Sequence, residues 1–412
     1  MDIQGILEQA LSKCEKQFKN VDNIAMINTK KVLDAMQEEG IATRHFAQTT
    51  GYGYDDVGRD ALERLYASVF KTEAAIVRPH IVSGTHAISL CLFGLLKPGD
   101  ELLYVTGKPY DTLHDAIGKD ENSVGSLKEM GVIYREVELT EEGQFDLDKI
   151  KESINNRTKV VAVQRSRGYA LRRSIMPSDL KILSDYIHAN YPNALIMVDN
   201  CYGEFVLTEE PTLYGADILV GSLIKNPGGG LAPTGGYIVG SNDAIERISY
   251  RLTAPGIGRE VGSYAGSYQP FFQGFFMAPH VVGEAMKTAI LSAALFELLG
   301  MTTTPSSEET RSDIIQALVL GNSQKLIAFC EGIQMASPID SMALPEPWDM
   351  PGYQHQVIMA AGTFVSGASI ELSADAPMRE PYAVYLQGGL SLSHGKIALV
   401  KVLEHMIAKG CI

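Results

Sequence analysis

The sequence predicts an α/β fold, a mostly parallel sheet sandwiched by helices, followed by a smaller C-terminal α+β domain. Three observations carry this. From about residue 60, short apolar runs bounded by turns alternate with helical periodicities. Of 412 residues, 45% are hydrophobic and 20% charged, enough for a large core. Beyond about residue 280, a long helical stretch gives way to a mixed pattern of strands and helices.

The elements follow in order. Ile3, Ile6, Leu7, Ala10, Leu11 and Cys14 recur at the spacing of an amphipathic helix. A second helix is expected from Asn28, as its cap, to Gly40. Together they make an N-terminal helical arm, residues 1–58, leading into "TTGYGYDDVGRD". Residues 59–285 form the large domain. "AAIVRP", "ELLYVT", "GVIYREVEL", "KVVAVQRS", "ALIMVDN", "DILVGS" and "GGYIVGS" read as its strands. "HAISLCLFGLL", "LDKIKESI" and "SDLKILSDYIHANY" read as helices between them. Residues 286–412 form the C-terminal domain, entered through a low-complexity "TTTPSSEET".

A net charge of -14 speaks against nucleic acid as a main partner, because phosphate binding calls for a basic face. The cysteines Cys14, Cys91, Cys201, Cys330 and Cys411 are scattered, with no C-x-x-C pair, which predicts reduced thiols, a cytoplasmic location and no zinc site. No His, Asp or Glu cluster has metal-ligand spacing. "TAILSAALFELLGM" is too short to span a bilayer and carries Glu297, so it is expected as a buried helix rather than a membrane anchor.

In a parallel sheet, ligands sit beyond the C-terminal strand ends. The chemistry-bearing residues therefore lie just after each apolar run. "SGTHAI" offers Ser83, Gly84 and Thr85 at the start of a helix, where free N–H groups and hydroxyls make an anion seat, or a plain helix cap. Tyr110 and His114 follow the next strand; an aromatic there can stack on a flat ring or be an ordinary part-buried tyrosine. "RSRGYALRRS" gathers Arg165, Arg167, Arg172 and Arg173, either as an anion contact or as solvated surface. Asp199 ends a five-residue apolar strand, where a carboxylate is costly without a partner. Lys225 follows "DILVGSLI" and precedes "NPGGG". An apolar setting predicts a lowered amine pKa and a nucleophile. An anion seat, an aromatic, a strand-end Asp and a Lys in S-x-x-K, in that order, suit pyridoxal 5'-phosphate.

"GYGYDDVGRD", "SGTHA", "QRSRGY", "VDNCYGEF", "GSLIKNPGGGLAPTGGY" and "PMREPYAVYLQGGL" make the chain resemble fold-type-I pyridoxal-phosphate enzymes. More closely, it resembles the aluminium-resistance or methionine gamma-lyase-like family of cysteine and methionine metabolism. The resemblance implies a fold-type-I transferase fold. Lys225 would carry the cofactor and move the Cα proton. Asp199 would pair with the pyridine nitrogen and Tyr110 would stack on the ring. Ser83, Gly84, Thr85 and Ser222 would hold the phosphate. Tyr52 or Tyr54 with Arg59 would reach that phosphate from a neighbouring subunit, though their spacing departs from the family's Y-x-R. Arg379 would bind the substrate α-carboxylate, with Arg165 and Arg167 as rivals. The implied activity is carbon–sulfur lysis of a sulfur amino acid, of the cystathionine β-lyase or methionine γ-lyase type. The implied assembly is a homodimer or homotetramer. An aminotransferase, a threonine-aldolase-like enzyme and a non-catalytic cofactor-binding protein share the same cofactor logic. "GIGREVG" at 256–262 looks phosphate-friendly, but a glycine-rich run alone is weak evidence, so it reads as a plain loop with a mobile active-site loop as the alternative, and "YQPFFQGFF" as core or subunit interface.

Overall fold

The computed structural model describes residues 2–119, 123–350, 353 and 355–412. The chain opens with α1 (Ile3–Glu38) and α2 (Val57–Phe70), followed by β1 (Ala74–Arg78), α3 (Gly84–Leu95), β2 (Glu101–Tyr104) and α4 (His114–Ile117). Then come β3 (Ile133–Glu136), α5 (Leu147–Ser153), β4 (Thr158–Gln164), α6 (Leu180–Asn190), β5 (Leu195–Asp199), β6 (Ile218–Ser222) and β7 (Gly236–Gly240). α7 (Asn242–Leu252) and the long α8 (Gln269–Leu298) lead to β8 (Thr302–Thr304), β9 (Gln316–Val319), α9 (Ser323–Ala336), β10 (Val357–Ala360), β11 (Ser373–Pro377), β12 (Ala383–Gln387) and α10 (Leu392–Ala408).

The large sheet has seven strands in the order β1-β7-β6-β5-β4-β2-β3. β3, β2, β4, β5 and β6 run parallel, while β7 pairs antiparallel with both β6 and β1. Helices cover both faces. α3 and α7 close one apolar core; α1, α2, α6 and α8 close the other. The C-terminal sheet is antiparallel throughout, in the order β10-β11-β12-β9-β8.

Two sequence expectations change. The two N-terminal helices are one, capped by Asp2, whose carboxylate accepts from the Gly5 N–H at 3.0 Å. Asn28 is not a cap. Its amide donates to the Phe205 and Leu207 carbonyls at 3.1 and 3.0 Å, so a polar residue sits mid-helix because a segment remote in sequence satisfies it. The helix stops where Gly40 turns left-handed, at φ 61. The second change is in "TTTPSSEET", where Thr302–Thr304 form β8, paired with β9; β-branched threonines suit a strand despite the biased composition. "YQPFFQGFF" is core: Phe271, Phe272 and Phe275 are buried, and Phe275 stacks on Tyr66 at 3.9 Å. Residues 288–298 of the "TAILSAALFELLGM" segment form the largely buried C-terminal end of α8, and the division expected at residue 285 falls inside that single helix.

α8 also supports the loop after β6. Gly274 and Gly228 meet backbone to backbone: a Cβ on Gly274 would lie 2.2 Å from the Gly228 carbonyl oxygen. Nothing larger than hydrogen fits there. Gly274→Ala is expected to cost about 1–3 kcal/mol in urea unfolding. A variant as stable as the parent would show that the contact is not a packing constraint.

Candidate active site

β4, β5 and β6 end side by side. Gln164 is in register with Asp199, and Asp199 with Val220, two residues before Ser222. The sheet therefore delivers three polar side chains to one edge. α3 points its N-terminus at the same edge. Ser83 caps it by accepting from the His86 N–H at 3.1 Å, and among the described residues no acceptor takes the Gly84 or Thr85 N–H. The Thr85 hydroxyl lies 2.8 Å from that of Thr112.

A cavity of about 190 Å³ forms where these meet. Its lining includes Ser83, Gly84, Thr85, Tyr110, Asp199, Ser222 and Lys225. So the anion seat, the aromatic, the strand-end carboxylate and the lysine, far apart in sequence, share one chamber. Gly84 lies against Cys201 and Ser222: a Cβ there would make ordinary contacts, 3.4 Å from Cys201 Sγ and 3.5 Å from Ser222 Cβ. Asp199 Oδ1 accepts from the Cys201 N–H at 3.1 Å. Burial pushes its carboxyl up, and Lys225 and Cys201 pull it partway back.

Lys225 corrects a sequence expectation. Its apolar surroundings predict a lowered pKa, and burial does disfavour the ammonium. Cys201, Tyr202 and Asp199 outweigh it, which raises the lysine above its ordinary value rather than lowering it. Nζ lies 3.9 Å from the centre of the Tyr202 ring, a cation–π contact. Tyr202 adopts φ 72, rare for a non-glycine residue, and its hydroxyl accepts from Ser369 of the C-terminal domain at 3.2 Å. Tyr110 is held by its hydroxyl, 2.6 Å from that of Tyr353.

Sequence reasoning missed Tyr202, Cys201, Gln164, Ser166 and Thr112, all in the lining. Gln164, Ser166, Cys201 and Tyr202 close or immediately follow the apolar runs of β4 and β5, so the strand-end rule reached them; only side-chain direction was hidden.

Six proposed residues lie outside this lining. Arg165 is buried within the scaffold, donating to Ser312 at 3.1 Å, Asn200 at 2.7 Å and Glu210 at 3.3 Å. These bonds hold β4 and β5 to the chain around them, so its expected substrate role gives way to a structural one. Arg167 donates to the Thr304 carbonyl at 2.7 Å. Arg379 is exposed, donates to the Tyr169 carbonyl at 3.2 Å, and lines a neighbouring cavity together with Arg167. Arg59 is buried, donating to the Gly53 carbonyl at 2.7 Å and Asp60 at 2.8 Å. Tyr52 and Tyr54 are 74% and 64% exposed. The 256–262 segment is not in the lining either; the buried Arg78 donates to its Arg259 and Val261 carbonyls at 2.8 and 3.0 Å, and its Gly262 N–H donates to the Tyr52 carbonyl at 2.9 Å.

Open N–H groups at a helix start, a buried carboxylate and a lysine amine fit a phosphate, a pyridine nitrogen and an aldehyde. Fold and site define a fold-type-I pyridoxal-phosphate enzyme, and pyridoxal 5'-phosphate is its cofactor. The chain belongs to the methionine gamma-lyase family, whose profile matches residues 3–407. It is 51% identical to the uncharacterized protein YnbB of Bacillus subtilis (strain 168), over 96% of this chain and 94% of that one. It superimposes on a carbon-sulfur lyase involved in aluminum resistance from Clostridium novyi NT with a TM-score of 0.95, at 50% identity, covering 98% of this chain and 96% of that one. L-methionine gamma-lyase of Fusobacterium nucleatum subsp. polymorphum is 29% identical over 53% of this chain and 50% of its own.

Beneath the site, Glu204 accepts from the Tyr237 hydroxyl at 2.7 Å, and its other oxygen is buried without a partner. Burial pushes its carboxyl up to about 8. A raised folded value means the contribution to stability is whole below the ordinary value of 4.5 and is lost as pH rises through about 8. Urea unfolding at pH 5 and pH 9 should show a larger loss in the parent than in Glu204→Gln; equal losses would show that Glu204 titrates normally.

Proposed function

We propose that the protein is a carbon–sulfur lyase acting on a sulfur amino acid. The observation that carries this is the presence of two proton-transfer groups, Lys225 and Tyr110, in the lining of one cavity, in a chain of the methionine gamma-lyase family. Bound pyridoxal phosphate supplies an electron sink for charge developing at the substrate Cα. Lys225 takes the Cα proton. Cys201, Tyr202 and Asp199 together favour its ammonium; with Asp199 engaged by a pyridine nitrogen, the Asp199 share of that support would fall, in favour of the amine as a base. Tyr110 gives a proton to the departing sulfur, and Tyr353 holds its hydroxyl in place. The C–S bond breaks with its electron pair on sulfur, and a thiol leaves. The unsaturated amino acid that remains hydrolyses to a 2-oxo acid and ammonia. A cytoplasmic location fits this chemistry; among the described residues no helix is long and apolar enough to cross a membrane.

The expected assembly is a homodimer or homotetramer. Tyr52 and Tyr54, exposed and with rings 5.7 Å apart, are available to a neighbouring subunit. Arg59 stays with its own chain, so we leave it out of that role.

The test is an absorption spectrum beside product analysis. The parent should show a visible cofactor band that an amino acid shifts, and should release thiol, 2-oxo acid and ammonia; Lys225→Ala should lose the band and at least a thousandfold of the rate. Glycine plus aldehyde, or a 2-oxo acid without thiol, would replace this reading with an aldolase or aminotransferase. Sedimentation with parallel assay should find activity only in the oligomer; a fully active monomer would exclude a shared site.

A further inference from the structure

Asp375 is a carboxylate without a cation. It lies on β11, in register with Met359 of β10 and Tyr385 of β12. Its Oδ2 accepts from the Tyr169 hydroxyl at 3.0 Å and from the Gln387 amide at 2.6 Å. Among the described residues no Lys, Arg or His is ion-paired with it. The titratable groups that act on it or feel it are Tyr110, Tyr169, Tyr202, Lys225, Cys330 of α9 and Tyr353. Burial pushes its carboxyl up to about 6, against the pull of Tyr169, Gln387 and Lys225.

Tyr169 links this acid to the reaction chamber. Its ring packs against those of Tyr110 and Tyr353, with centres 6.1 and 5.9 Å away. Its hydroxyl is hydrogen-bonded with both of theirs, which lie 2.6 Å from each other. Hydroxyl groups therefore run from Asp375, in the C-terminal sheet, to Tyr110, in the lining of the Lys225 chamber. Each hydroxyl has one proton to give, so the direction of donation at one end sets it at the other. An ionised carboxyl only accepts: Tyr169 turns its O–H to Asp375, Tyr353 turns to Tyr169, and the Tyr110 proton is drawn to Tyr353. A protonated carboxyl donates to Tyr169, and the Tyr110 proton is freed toward the chamber. We propose that Asp375 and Tyr169 are positioning residues, which set through this chain whether Tyr110 offers the chamber a proton or a lone pair. The use of that proton at a departing sulfur rests on the lyase reading; the chain itself does not.

Two variants separate the states. In Asp375→Asn the side-chain amide has two N–H groups, one for Tyr169 and one for Gln387 Oε1, which is otherwise buried without a partner. That holds the chain in its donating direction at every pH. Tyr169→Phe keeps the ring and cuts the chain. The first measurement is 13C NMR of the cofactor-loaded protein labelled at tyrosine Cζ, with Tyr110→Phe assigning the Tyr110 signal. That signal should shift between pH 5 and pH 8 in the parent and stay in place in both variants. The second is kcat for thiol release from L-cystathionine. Asp375 loses its proton as pH rises through about 6, so the parent loses the donating form that Asp375→Asn keeps. The kcat ratio of parent to Asp375→Asn should fall about fivefold or more from pH 5 to pH 8, with the KM ratio steady to about twofold. Unfolding curves check both variants; should Asp375→Asn not fold, Tyr169→Phe carries both measurements. A Tyr110 signal that stays still in the parent, or shifts equally in the variants, overturns the chain. A signal that follows Asp375 beside a constant kcat ratio overturns its part in the reaction and leaves the lyase reading intact. A signal that follows Asp375 in a protein that releases no thiol supports the chain and removes the lyase reading.

Discussion

The site depends on how one charge is balanced. Lys225 sits at the edge of the sheet with its ammonium against the face of Tyr202 and near the carboxylate of Asp199. Burial disfavours its ammonium, while Cys201, Tyr202 and Asp199 favour it. Two of these groups are held from different parts of the chain. Asp199 belongs to β5 of the large domain, whereas Tyr202 is tied through its hydroxyl to Ser369 near the C-terminal sheet.

The glycines around Lys225 have a mechanical reason. The backbone after Lys225 presses on α8, with Gly228 against Gly274 at a distance that admits no side chain. α8 in turn packs along α1 and into the main core. The reactive lysine is thus mounted on a tightly packed support, which limits the number of positions its amine can take. Catalysis by proton transfer needs that restriction, since a misplaced base loses rate steeply.

The arginines of "RSRGYALRRS" show how adjacent residues in one run divide between scaffold and cavity. Arg165 turns into the protein and is paired with Glu210. Arg167 and Arg172 face the neighbouring cavity, where among the described residues no carboxylate pairs with them. Chain direction, turning at the end of β4, separates residues that composition treats alike.

Much of this was legible in the sequence. Alternating apolar runs gave the strands because burial on both faces of a parallel sheet demands them, and the strand-end rule reached Asp199, Tyr110 and Ser83 because backbone geometry alone puts such positions at one edge, while Ser222 came from the family resemblance. The single N-terminal helix was not legible, because Asn28 looks like a cap until the carbonyls that satisfy it are seen. Nor was the protonation of Lys225, which depends on groups brought near it by other segments. What the sequence determined by itself was the order of elements and the residue types at each strand end, since these follow from local periodicity. Only the tertiary structure decided which way each side chain points, which arginines meet an acid and which do not, and how the lysine's charge is held, because those are set by distances between segments remote in the chain.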